Sequence, residues 1–558
     1  MKRDLGLLDG KTFDVVIIGG GIYGACLAWE AISRGLSVAL IEKNDFASGT
    51  SANSLKIIHG GLRYLQHLDI QRFRESTRER TTLMNIAPHL VHPLPVVIPT
   101  YGHGLRGKEV MLGALLVNHW LGLDCKQTWD PSRRVPWGKL LSSSHIHHML
   151  PFISHEGLSG GALFYDAQVY NSERLVLSFL HSAAAYGAVL GNYIEAKAFL
   201  QKHNRVMGVQ VQDKISGETF DVLSKTVVNT VGPWSPELQE KLTGKTFQCR
   251  AGYVKAVNVL MKPLVDSFAF GMPIPSTARD ERAVVDRGSR MLFVAPWRGY
   301  SLVGTIYIPF NDAADDCVVT QKDVSELLNL IAQACPSLHL QRQDVRFVHG
   351  GLLPCTRPAH RPEDIQLLNK YEIYDHRIDR LEGMLSVTGV KYTTARFVAQ
   401  KTIDHIIERE GTLGPSSRTA STPVFGGDID RFEAYLDQEI QANAESINES
   451  GLQSLICNYG TAYKKVLSYI PCKQLSQGQR PCKDFDVLRG QVRFAVREEM
   501  AYKLTDVVFR RTEIGSAGDP GEKALEVCAY EMGSELGWGS QKVHEEIRAT
   551  CEQFVVAA

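Results

Sequence analysis

The chain has no excess of one charge: 61 Lys and Arg residues balance 61 Asp and Glu. Without a net field there is no chain-wide pull toward nucleic acid or an anionic surface. It also lacks an apolar run of the ~20 residues that a membrane-spanning helix needs. The longest such run, VMLGALLVNHWLGL at 110–123, is interrupted by Asn118 and His119 and reads as a core helix before a membrane-surface segment. The start, MKRDLGLLDGKTFD, has no apolar stretch followed by a small-residue cleavage site, so no secretory signal is expected. Eleven cysteines fall without a CxxC pair or a Cys/His ligand spacing. That pattern argues against a disulfide framework or a metal site and for a reducing, cytoplasmic setting. No internal repeat or low-complexity tract is present.

What is present suits a large globular protein: 558 residues, 44% hydrophobic and 22% charged. At roughly 100–200 residues per domain this is two to four units. Val15–Ile18 and Val38–Ile41 read as short buried parallel strands, with a helix over 22–34 between them that Gly35 ends. Further helices are expected over 69–87, closed by Pro88, and over 172–186. From 188 the texture turns to strands, with a hairpin turn at Ser216–Glu218 and antiparallel strands near 255–261, 290–297 and 300–308. The Gly-, Pro- and Ser-rich stretch 411–428 reads as a linker, and 429–558 is helical in pattern. The fold class is α/β plus α: a Rossmann-like nucleotide domain interleaved with an antiparallel-sheet domain, then an all-helical C-terminal domain.

Gly19, Gly21 and Gly24 form GxGxxG between the first strand and helix. The first glycine permits the turn, the second lets backbone approach a pyrophosphate, and the third lets helix and strand pack closely. The helix N-terminus then offers free N–H groups to the phosphates. Glu42 ends the second strand where an acidic residue takes a ribose diol. NAD and FAD share this half-motif. The hydroxyl-rich loop ASGTSANSLKIIHGGLRYLQ (47–66), the Gly-Pro turn of TVVNTVGPWS (226–235) and the strand–turn–helix unit of LSVTGVKYTTARFVAQKTID (385–404) imply a long ligand met by distant segments. FAD fits that better than NAD.

At these residues the chain resembles the FAD-dependent glycerol-3-phosphate dehydrogenases, within the group that includes D-amino-acid and sarcosine oxidases. The resemblance is carried by IIGGGIYGA, GTSANSLKIIHGGLRYL, NTVGPWS, RMLFVAPW and VTGVKYTTAR, with VREEMAYKLTDVVFRRTEIG resembling the family's helical cap. It implies a core over 1–420, with FAD-binding segments at about 11–100, 160–240 and 345–410. The substrate domain would take about 101–159 and 241–344, and the helical domain 421–558. It further implies non-covalent FAD and oxidation of a secondary alcohol beside a phosphate, glycerol 3-phosphate to dihydroxyacetone phosphate. Electrons would pass to a quinone at the membrane, or to oxygen in an oxidase. Cofactor contacts carried over are Gly19, Gly21, Ile22, Gly24, Glu42, Lys43, Thr50, Ser51, Ser54, His59, Gly60, Gly61, Gly232, Gly389, Lys391 and Thr393. Arg63, Tyr64, Arg290 and Lys391 are expected to meet substrate, with Arg63, Arg290 and Lys391 also counted in the catalytic set.

Several substrate-side positions depart from the family pattern. AGYVKAV places Val254 where a histidine is usual, GTIY places Ile306 and Tyr307 for a threonine and an aspartate, GLLP places Leu353 for an arginine, and Leu55 stands for a serine. Replacements are sought among neighbours: Lys255, Arg357, and His349 as the catalytic base. Apolar substitutions at these places imply a less polar pocket. Three readings therefore stay open: a glycerol-3-phosphate dehydrogenase, a flavin enzyme of another alcohol or amine, and a flavin-binding protein with degenerate catalysis. No nucleic acid partner is expected. Peripheral attachment to the inner face of the cytoplasmic membrane and a homodimer are left open.

Overall fold

The computed structural model describes residues 1–102, 108–122, 128–243, 252–274, 290–362, 365–411, 414–445, 447–470 and 484–557. Two sheets organise it. In the first, strands Met384–Thr388, Thr219–Asn229, Thr12–Ile18, Val38–Ile41 and Val189–Gly191 lie side by side and parallel, with Glu372–Asp375 antiparallel at one edge. A meander of Ile194–Lys202 and Arg205–Asp213 feeds the Thr219 strand through the expected hairpin. The strands are continuous runs of Val, Ile and Leu because both faces are covered. Helix Ile22–Ser33 is buried along most of its length and packs between Ser172–Ala185 and Ala395–Arg409.

The second sheet runs Val345–Cys355, Gly252–Met261, Tyr300–Phe310, Arg290–Trp297, Ala269–Ile274, Val91–Tyr101, Leu158–Val169 and Ile57–Ile58. It takes in Val91–Tyr101, Leu158–Val169 and Val345–Cys355, so the boundary between sheets falls inside segments that the sequence assigns to the nucleotide unit. The Val91 strand holds Pro93, Pro95 and Pro99. Their equal parity puts every missing N–H on one side of the strand. Ala269–Ile274 pairs with this strand only at Val96 and Val97, between Pro95 and Pro99.

Past the linker, helices from Phe432 to Glu552 form the C-terminal domain around two apolar clusters of their own. Helix Asp484–Glu499 turns Leu488, Val492 and Ala495 into the second of these clusters. Helix Lys108–Leu121 behaves otherwise. Leu112, Leu116, Val117 and Trp120 are exposed, Trp120 at 70%, so the reading of this run as a core helix is corrected. An apolar run shows how much surface must be hidden, not what hides it. Among the described residues no helix is long and apolar enough to cross a membrane.

Candidate active site

A cleft of about 2580 Å³ lies between the two sheets. One wall is the glycine turn. Gly24 sits where a Cβ would come within 1.9 Å of the Gly19 carbonyl oxygen, so only glycine lets helix and strand approach this closely. The Ile22 N–H donates to Ser51 Oγ at 3.0 Å, tying the hydroxyl-rich loop to the helix N-terminus. Glu42 is half-buried, its carboxyl pKa raised by desolvation, and it accepts from the Gly20 and Asn44 N–H groups at 2.7 and 2.8 Å. Each oxygen keeps a lone pair for a hydroxyl. Lys56 anchors the far end of the loop: its buried ammonium donates to Ala52 O, Ser172 Oγ and Glu173. The donor set, the acidic strand end and the glycine cradle fit the ADP half of a dinucleotide.

Of the cofactor-side residues expected from sequence, all but Gly24 and Gly60 line this cleft. Gly60 has a different reason for being glycine, since a Cβ there would sit 2.2 Å from the Arg80 guanidinium. Lys43 reaches the cleft, with its ammonium on Asp315 at 2.8 Å and over the Trp234 ring. Tyr64 and Lys391 also line it. The side chains of Arg63 and Arg290 lie outside the described residues.

His59 also lines the cleft, in contact with a buried carboxylate. Its ring is 48% exposed, with Nδ1 3.0 Å from Asp166 Oδ2. Asp166 also accepts from the Gly60 N–H at 2.7 Å and lies 3.4 Å from Arg80. Burial alone would raise the Asp166 carboxyl; the His59 hydrogen bond, the Arg80 charge and the Gly60 N–H outweigh it and hold its pKa below the ordinary value. An ionised carboxylate only accepts, so His59 Nδ1 is the donor of this bond, which selects the tautomer whose Nε2 can accept a proton. Asp166 was not legible in sequence: it is 107 residues from its partner, and no local motif marks it.

Lys391 is set by the first helix. The Tyr23 hydroxyl donates to its carbonyl at 2.7 Å, and its own N–H returns a bond to the Tyr23 oxygen at 3.3 Å. Its ammonium lies 3.7 Å from the centre of the Tyr64 ring, and burial pushes its pKa down to about 8. Arg72 lies against the same ring at 4.9 Å. Two cations thus meet one aromatic ring; Arg72 is paired with Asp69 at 2.5 Å, and Lys391, which lines the cleft, is the cation suited to an anion there.

His349 is placed elsewhere. It is 3% exposed, packs on Phe347 and Trp297, and does not line the cleft. Burial, with Lys56 and Arg298 nearby, drives its pKa far below the usual value, and Nε2 has no hydrogen-bond partner. A base needs a path to the proton it takes, and this placement gives His349 none. Lys255 is likewise committed, to Asp323 at 2.6 Å. Arg357 does line the cleft, at an exposed position.

Comparison with known proteins matches residues 14–391 to the family described as FAD dependent oxidoreductase. Residues 417–543 match the C-terminal domain of alpha-glycerophosphate oxidase. The glycerol-3-phosphate dehydrogenase of Synechocystis sp. is 30% identical over 566 residues, covering 98% of this chain and 99% of that protein. The mitochondrial glycerol-3-phosphate dehydrogenase of Bos taurus is 30% identical over 574 residues, covering 99% and 74%. The structure of the glycerol-3-phosphate dehydrogenase from Bacillus halodurans complexed with FAD matches with a TM-score of 0.76, covering 99% of this chain and 96% of that one at 24% identity, a likeness of fold. Joined to the glycine cradle, Glu42 and the helical C-terminal domain, these matches show that the chain belongs to the FAD-dependent oxidoreductases, in the family of the glycerol-3-phosphate dehydrogenases.

Proposed function

We propose that the protein oxidises a secondary alcohol beside a phosphate, the reaction that takes glycerol 3-phosphate to dihydroxyacetone phosphate. The observation that carries this reading is His59, held by buried Asp166 at the wall of the cleft that also contains the dinucleotide cradle. Loss of a hydride from the carbinol carbon must be matched by loss of the hydroxyl proton. When bound, the flavin supplies the hydride acceptor. His59 Nε2 takes the proton, and the Asp166 carboxylate stabilises the imidazolium that results. Gly19, Gly21 and Glu42 would hold the ADP half, and Thr50, Ser51 and Ser54, which line the same cleft, would offer hydroxyls to the cofactor. Lys391 and Arg72 hold the phosphate; Arg63 and Arg290, expected from sequence to meet the substrate, are tested by substitution alone. The test is product formation: purified holoenzyme with glycerol 3-phosphate and an artificial quinone should yield the ketone, and no ketone would defeat the reading.

Lys391 makes this pH-dependent. Its cation is present below about 8 and lost above it. Affinity for a phosphorylated substrate therefore falls as pH rises through that value. In Lys391→Arg the alkaline limb of kcat/KM should disappear from the accessible range, since the guanidinium stays charged. An unchanged alkaline limb in this variant would remove Lys391 from the anion site.

The exposed apolar face of helix Lys108–Leu121 adjoins the cleft, which Met111, Ala114 and Val117 line, and Leu68 and Ile70 are exposed too. On this reading the face rests on the inner surface of the cytoplasmic membrane, where a quinone collects the electrons. Leu116→Asp should abolish co-flotation with lipid vesicles while leaving the flavin bound. Equal flotation of both proteins would refute the attachment.

A further inference from the structure

Beyond His59 the cleft has an apolar wall. Val254 and Leu353 face each other across two paired strands, and Tyr307 pairs with Ala256 on the other side of the Val254 strand. Val254, Tyr307, Leu353 and Leu367 form one hydrophobic cluster with Cys355 and Ile365. Val254 is fully buried beneath it, whereas Tyr307, Leu353 and Leu367 are partly exposed and line the cleft. Arg357 and Gln366 stand at the exposed rim.

This wall runs on toward Arg72 and Lys391. The Leu368 N–H donates to Pro354 O at 2.9 Å, which fixes the segment that carries Leu367. One residue on, the Asn369 carbonyl accepts from Arg72 at 2.9 Å, and Arg72 lies against Tyr64 beside Lys391. The segment that carries Leu367 thus runs directly into the residue that Arg72 holds beside Tyr64 and Lys391. The cleft, at about 2580 Å³, also exceeds the ~300–1,000 Å³ usual for one small ligand.

We infer that the preferred substrate is a phosphorylated secondary alcohol carrying an apolar arm, alkyl or aryl, and that Tyr307, Leu353 and Leu367 hold that arm. The inference rests on the reaction proposed above and specifies its substrate class. Its physical basis is the transfer of the arm from water to this wall, worth about fourfold in affinity per methylene.

The test titrates holoenzyme with unreactive n-alkyl phosphates from methyl to hexyl and reads Kd from the shift in the flavin spectrum. Kd should fall about fourfold per methylene over the first several carbons, and Leu353→Asn should flatten that slope. A Kd independent of chain length in the wild type would overturn the inference, whether or not the variant folds. Failure of the proposed reaction looks different: alkyl phosphates would still bind with a chain-length slope, while no phosphorylated alcohol reduced the flavin. With the reaction intact, kcat/KM should rise along 1-O-alkyl glycerol 3-phosphates relative to glycerol 3-phosphate, and a fall along that series would count against the apolar arm.

Discussion

His59→Asn lowers kcat by about 10²–10⁴-fold with FAD still bound, the range that a positioned general base contributes. The imidazole is the cleft-lining group whose second nitrogen is fixed by a carboxylate, and that carboxylate is in turn fixed by Gly60 N–H and Arg80. Asparagine at this position can hydrogen-bond but cannot take a proton near neutral pH. Asp166→Asn should have a smaller effect and a distinct signature. It removes the charge that stabilises the imidazolium formed in the reaction, so kcat falls while the imidazole and the bound FAD both remain. Rate measurements across pH, with flavin content checked by absorbance, separate this from loss of fold. A His59→Asn enzyme with wild-type kcat would remove the base from this position.

Arg511→Met costs about 3–5 kcal/mol of stability, as when one partner of a buried ion pair is removed. Arg511 holds both oxygens of Asp45 at 2.7 Å and donates to the Glu499 carbonyl, and Arg511 and Asp45 side chains are both fully buried. Arg510 shares Asp45 and also meets Asp506, which accepts from Tyr193 at 2.7 Å. Burial would raise the Asp45 carboxyl; the two guanidinium groups bring it down to about 2. A depressed carboxylate pKa stabilises the fold above the unfolded value of about 3.9. That contribution is lost as pH falls from there through about 2. Asp45 is three residues past Glu42, so this clasp lets the C-terminal domain set the loop that carries the cofactor contact. Denaturant unfolding should show the loss, and FAD should dissociate faster. A variant as stable as wild type would mean that the domains dock through other contacts.

Legibility in the sequence followed distance. The glycine turn, its flanking strands and Glu42 lie within 30 residues, and their spacing alone places them. Strand Val91–Tyr101 was not foreseen, because three prolines in eleven residues argue against a strand unless all fall on one side of it. Asp166 was invisible, since its meaning lies in a pairing across the second sheet. His349 drew notice as a histidine near a motif, yet the chain folds it into an aromatic cluster where its charge is excluded. The substitutions at Val254, Tyr307 and Leu353 could be counted one by one. Only the strand register shows that they form a single apolar patch.

The most direct test of the account is single-turnover reduction of the bound flavin under strictly anaerobic conditions, in wild type and in His59→Asn. The account predicts that a phosphorylated secondary alcohol bleaches the oxidised-flavin band in the wild type, more slowly when its carbinol hydrogen is deuterium. It predicts bleaching slower by about 10²-fold or more in the variant. A wild-type flavin that dithionite reduces but no such alcohol bleaches, or equal rates in the two proteins, would contradict it.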